Sequence, residues 1–87
     1  MQFEYDPDKS AANFEKHGID FVKAQQLWND DRLLEVPATS TDKPRFLAVG
    51  ALDGKHWAAV FTYRADKIRI ISVRRARTKE IEFYESD

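Results

Sequence analysis

The sequence predicts an α+β fold in which two N-terminal helices pack on an antiparallel β-sheet and a short helix closes the chain. Three observations predict it. Helix-boundary signals crowd the first thirty residues, where Asp6-Pro7, Gly18 and Asp20 occupy cap positions. From Leu33 onward β-branched and aromatic runs take over, and Asp53-Gly54 separates two of them as a type I′ hairpin signal. Finally, 87 residues, 43% hydrophobic and 13% aromatic, suffice for one core and not for two. Residues 1–87 are therefore read as a single domain.

Phe3-Glu4-Tyr5 alternates and reads as a short first strand, stopped by Asp6-Pro7. Asp6 suits an N-cap, Pro7 the first helical position and Asp8 the first turn. The first helix then runs from about Pro7 to Lys16 or His17, with Ala11, Phe14 and Ala12 as its inward candidates, and Gly18 ends it in left-handed geometry. Asp20 caps a second helix to about Asn29, on which Phe21, Ala24, Leu27 and Trp28 recur at helical spacing and form a core stripe. Leu33 to Val36 reads as a strand ended by Pro37, followed by the polar, turn-rich stretch from Ala38 to Lys43. Arg45 to Leu52 and His56 to Tyr63 are the arms of the Asp53-Gly54 hairpin. A tight turn at 64–67 leads into the strand Ile68 to Val73, and Thr78 is placed to cap a last helix with Ile81 and Tyr84 on its inner side.

Charge is distributed unevenly. Net charge is −1, yet residues 1–42 hold nine acids against four bases, and residues 64–79 hold seven bases against Asp66 alone. Guanidinium groups pair bidentately with phosphate, so this stretch reads either as a phosphate-binding face or as a strand end neutralised by salt bridges. A near-neutral protein with one basic patch binds polyanions locally, and the same patch offers a target for an acidic protein. There is no cysteine, which removes disulfide and thiolate chemistry. No apolar run approaches the ~18 residues of a membrane span, and MQFEYDPDK lacks the features of a signal peptide, so the expected location is the cytoplasm.

The hairpins allow a register argument. A two-residue loop at Asp53-Gly54 pairs Leu52 with Lys55, hence Phe46 with Phe61 and Leu47 with Val60. The turn at 64–67 pairs Tyr63 with Ile68, Phe61 with Ile70 and Val60 with Ile71. Extended to the strand ends, this sets Trp57 opposite Arg74 and His56 opposite Arg75. One ring to stack a base, two guanidiniums for phosphate and one group able to move a proton make a candidate RNA site.

These residues resemble the BrnT family of toxins from bacterial type II toxin–antitoxin systems, over nearly the whole chain. The likeness is carried jointly by Asn13-x-x-Lys16-His17-Gly18-Ile19-x-Phe21 and by Ile70-Ile71-Ser72-x-Arg74-x-Ala76. Members often have an arginine where this chain has Lys67. The resemblance implies a RelE-like ribonuclease fold, an activity that stops translation, and neutralisation by a BrnA antitoxin, a ribbon-helix-helix protein that binds DNA. DNA would then be met only through the antitoxin.

Metal-free RNA cleavage needs a base for the 2′-hydroxyl, positive charge for the crowded phosphate and an acid for the leaving oxygen. Arg74 and Arg75 are the first candidates for the charge, and Arg69, Arg77, Lys79 and Trp57 for holding RNA. His17, His56 and Glu80 are the acid–base candidates. Each has a plainer explanation: capping at a helix C-terminus for His17, simple exposure for His56, and the N-terminus of the last helix for Glu80. Asp6-x-Asp8 and Asp30-Asp31 are the nearest carboxylate pairs and read as a cap and a turn, so no metal is expected. Three glycines and no phosphate-cradling loop leave no nucleotide cofactor to expect. A non-catalytic RNA-binding module and a protein-interaction domain using the same basic face remain the alternatives.

Overall fold

A computed structural model describes residues 2–38 and 44–86. Its elements run β1 (Gln2–Glu4), α1 (Pro7–His17), α2 (Phe21–Ala24), a 3-10 turn (Gln25–Asn29), β2 (Leu34–Ala38), β3 (Arg45–Leu52), β4 (Lys55–Arg64), β5 (Lys67–Arg75) and α3 (Thr78–Glu85). The five strands form one sheet in the order β1-β5-β4-β3-β2. The expected turn-rich stretch at 38–43 lies, beyond Ala38, outside the described residues.

The predicted helix boundaries follow their caps. Asp6 accepts the Asp8 amide at 2.9 Å, Asp20 accepts the Lys23 amide at 2.8 Å, and Gly18 ends α1 at φ 79°. The inner face of α1 is not the predicted one. Phe14 is 56% exposed and Ala11 and Ala12 are exposed, whereas Ser10 and Asn13 are buried. The reason is hydrogen bonding: Ser10 Oγ accepts the Phe21 amide at 2.9 Å, and the Asn13 side chain serves β5. Asn13 Nδ2 donates to the carbonyls of Val73 (3.0 Å) and Ile19 (2.8 Å), and the Val73 amide donates to Asn13 Oδ1 at 3.1 Å. Among the described residues, β5 has no strand on its outer side beyond Arg69. The Asn13 amide thus takes the place of a neighbouring strand at Val73 and blunts a bare edge.

The second helix is shorter than its apolar spacing predicts. Only Phe21–Ala24 is α-helical, and the chain tightens into the 3-10 turn that delivers Leu27 and Trp28 to the core. Trp28 stands edge-on to Phe3 (5.2 Å) and Phe61 (5.3 Å). Ile19, Phe21, Ala24 and Leu27 bury one sheet face, made by Ala48, Trp57, Ala59, Phe61, Ile68, Ile70 and Val73. Gly50 allows a close approach: a Cβ there would meet Leu33 Cδ1 at 2.8 Å, so the Leu33 side chain would have to shift to admit one.

Two corrections concern the sheet. It is mostly antiparallel, but β1 runs parallel to β5, pairing Glu4 with Arg69. A parallel partner needs a long crossover, and here everything from α1 to β4 intervenes. Pro37 does not end β2 but lies within it, which is tolerated because β2 is an edge strand.

The third correction concerns register. Phe46–Phe61, Leu47–Val60, Tyr63–Ile68 and Phe61–Ile70 pair as predicted. Val60, however, faces Ser72 and not Ile71, because the β4–β5 ladder shifts by one residue between Val60 and Phe61. Ile71 is the extra residue of a bulge. The bulge places both Ile70 and Val73 on the helix-covered face, and it sets Trp57 opposite Arg75 and Ala58 opposite Arg74.

Candidate functional site

Beyond the bulge, β5 delivers its basic end between two layers. Arg75 lies on the face of Trp57, and Arg74 on the opposite face with Ala58. The last ladder bond runs from the Ala76 amide to the His56 carbonyl at 3.0 Å, so Ala76, not Arg75, is the residue across from His56. Arg75 still reaches that residue's backbone, its Nε donating weakly to the His56 carbonyl at 3.4 Å. Its guanidinium carbon stands 5.5 Å from the Trp57 ring centre, a cation–π distance. Trp57 is 7% exposed and belongs to the core, so the ring expected to stack a base is instead a floor beneath Arg75.

Arg74 is held by α3. Nη1 and Nη2 donate to Glu80 Oε1 and Oε2, each at 2.8 Å, and Nη1 also donates to the Arg75 carbonyl at 3.2 Å. Glu80 Oε1 further accepts the Arg77 amide at 2.8 Å. Arg77, and not Thr78, is therefore the N-cap of α3; a guanidinium has no acceptor, so only the Glu80 half of a capping box forms. The Arg74 guanidinium beside it holds the Glu80 carboxyl below the usual carboxylate range, against an opposing effect of burial. Glu80 in turn keeps Arg74 more firmly protonated than usual.

The other end of α3 is tied by Tyr84, whose hydroxyl donates to Asp30 Oδ2. That oxygen also accepts the Ala51 amide at 2.9 Å, and Asp30 Oδ1 accepts the Arg32 amide at 2.9 Å. Burial pushes the Asp30 carboxyl up, but these bonds, Tyr84 foremost, bring it below its usual range. His56 lies beside this anchor, its ring 5.3 Å from Tyr84 and its Nε2 3.7 Å from Glu85 Oε2. Sequence reasoning read Asp30 as a turn residue only. The pairing with Tyr84 spans 54 positions, and no local pattern announces it.

The remaining candidates are dispersed. His17 is one helical turn beyond Asn13 on the face that meets β5, and the adjacent Gly18 shares a small pocket with Trp57, Lys23 and Lys55. This brings the end of α1 toward the Arg75 side of the sheet. Arg77 and Lys79 are exposed at the start of α3. Arg69 is far along β5, where its Nη1 donates to Glu4 Oε2 at 2.9 Å together with Arg64 Nη1 at 3.2 Å. The structure thus gathers Arg74, Arg75, Arg77, Lys79, Glu80 and His56 at one sheet end, brings His17 toward it and leaves Arg69 apart.

No helix is long and apolar enough to cross a membrane among the described residues. No individual curated protein matches the chain. The family described as "ribonuclease toxin, BrnT, of type II toxin-antitoxin system" matches residues 5–80, a span that includes α1, the whole sheet apart from β1, and the Arg74–Glu80 pair. The chain belongs to that family of ribonuclease toxins.

Proposed function

We propose that this chain cleaves RNA without a metal ion, thereby stopping translation in the cytoplasm, and that a BrnA-like ribbon-helix-helix antitoxin holds it inactive. A RelE-like reading of the α+β frame belongs to the same proposal and rests on the family likeness. The observation that carries the proposal is a contrast among the basic residues. Arg64, Arg69 and Arg74 are each bridged to a carboxylate, whereas Arg75, Arg77 and Lys79 make no salt bridge among the described residues. Three exposed cations within five positions of the chain favour a bound anion, and a phosphodiester is such an anion.

In this reaction the 2′-oxygen attacks the neighbouring phosphorus and its proton passes to a base. The bond from phosphorus to the 5′-oxygen breaks, and an acid protonates that oxygen, leaving a 2′,3′-cyclic phosphate and a 5′-hydroxyl. Arg75, Arg77 and Lys79 stabilise the charge that builds on the phosphate. Arg74 spends two Nη1 donors and one Nη2 donor on protein acceptors, which leaves its Nε–H and one Nη2–H for substrate. Glu80 acts through Arg74 as a positioning residue. His56 and His17 flank the cluster as the groups able to move protons.

The test is incubation of purified protein with RNA in excess EDTA. The expected result is fragments ending in a 2′,3′-cyclic phosphate, lost in Arg75→Ala. Cleavage that needs a divalent cation, or that survives in Arg75→Ala, overturns the mechanism. RNA binding with no cleavage by the wild type would make this a binding module.

A further inference from the structure

The opposite end of β5 carries a second concentration of positive charge. A pocket of about 540 Å³ is lined by Lys9 of α1, Arg45 of β3, Thr62 and Arg64 of β4, and Arg69 and Ile71 of β5. Among the described residues no acidic side chain lines it. Glu4, on the neighbouring strand, takes one guanidinium nitrogen each from Arg64 and Arg69, which offsets a single charge and fixes both side chains in place. Lys9 and Arg45 make no salt bridge among the described residues. Among the described residues, four bases against one carboxylate leave a surplus of three.

The fold builds this pocket deliberately. Phe46 pairs with Phe61 and Thr62 with Arg69, so Arg45, Thr62 and Arg69 stand in a row across three strands. The Asn13–Val73 bonds fix α1 alongside β5, and Lys9, one turn before Asn13, is thereby brought to the pocket. Arg69, Ser72 and Arg74 face Thr62, Val60 and Ala58 and so share one sheet face, which joins the pocket to the candidate site. Arg74, which keeps two N–H groups for substrate, is the member of that site on this face, and five residues separate it from Arg69, roughly 17 Å at ~3.3 Å per residue. At about 3.4 Å per nucleotide of a stacked strand, that is a reach of about five nucleotides.

We propose that this pocket is a second phosphate-binding site, which grips the RNA backbone about five nucleotides from the bond to be cut. The proposal rests on the ribonuclease reading above. It gives the enzyme a preference for long single strands over short ones, through backbone charge and without reading sequence.

The test uses Lys9→Ala/Arg45→Ala, which leaves the Glu4 bridges intact. Binding is measured by fluorescence anisotropy with a 12-nucleotide 2′-O-methyl RNA, which lacks the nucleophile, and cleavage is measured on an unmodified 12-mer and a trimer. The expected result is affinity for the 12-mer about tenfold weaker, with the slope of log K against log salt reduced by about 1.4, two contacts at ~0.7 each. The loss in kcat/KM falls on the 12-mer and not on the trimer. Unchanged affinity and an unchanged slope overturn the pocket, and are what a site for an acidic protein segment would give. Equal losses on both lengths also overturn it. If the wild type cleaves neither RNA, the ribonuclease reading fails, and the anisotropy result alone still decides the pocket.

Discussion

Arg74 and Glu80 face each other as a two-pronged pair, with both nitrogen–oxygen distances at 2.8 Å and both side chains largely shielded from water. One residue is the next-to-last of β5 and the other closes the first turn of α3. The pair therefore clamps the only helix on its side of the sheet among the described residues, directly beside the basic cluster.

Removing either partner strands a half-buried charge. We expect Arg74→Ala and Glu80→Ala each to cost about 1–3 kcal/mol, between the values for exposed and fully buried pairs. Urea unfolding of both singles and the double should show a coupling of about 1–2 kcal/mol. Additive losses would make the pair a bystander.

Arg75 is expected to behave differently from its neighbour. Its exposed guanidinium contributes a cation–π contact and one long hydrogen bond, so Arg75→Ala should cost no more than about 1 kcal/mol. RNA cleavage should nonetheless fall by at least about a hundredfold, the scale of one lost charge-stabilising donor. Activity within threefold of wild type would place the phosphate elsewhere.

Asn13 should be a stability residue with no direct part in catalysis. Its buried amide makes three bonds to the backbone, two of them closing the edge of β5. Asn13→Ala should cost about 2–4 kcal/mol, since the Val73 and Ile19 groups lose their partner in a dry setting. Asn13→Asp should be no better, because a carboxylate faces two carbonyl oxygens. Thermal melts of both variants decide it, and an Asp variant as stable as wild type would count against this account.

Acid should loosen α3 first. The Glu80 and Asp30 carboxyls both sit below their ordinary values in the folded protein, so folding favours their ionised forms. The stability this brings is complete above the ordinary carboxyl range near pH 4 and is lost as pH falls through it toward the lowered folded values. The melting temperature should be nearly level from pH 7 to 5 and drop below about 4.5, less steeply in Glu80→Gln. Identical slopes in the two proteins would remove Glu80 from the explanation.

A neutralising antitoxin should use charge. Covering Arg75, Arg77 and Lys79 without acidic partners would bury unpaired cations, so the segment that covers them should carry Asp or Glu. Association measured by stopped flow should slow as salt rises. A rate indifferent to salt would point to inhibition away from the basic face.

The sequence by itself determined the α+β class, the caps of α1 and α2, the Asp53-Gly54 hairpin and the basic stretch, because each depends on residues within a few positions of one another. It also carried the family likeness. Tertiary structure decided the rest. The bulge at Ile71 was hidden because Ile71 is itself apolar and breaks no pattern, yet it exchanges Arg74 for Arg75 opposite Trp57. The polar inner face of α1 follows from an unpaired strand edge 60 residues away that Asn13 must satisfy. The division of the arginines into bridged and unbridged was equally out of reach, since Glu4 meets Arg69 only when β1 joins the sheet in parallel. Local propensity fixes where elements start and stop; which backbone groups and charges remain to be satisfied is known only once the elements are packed.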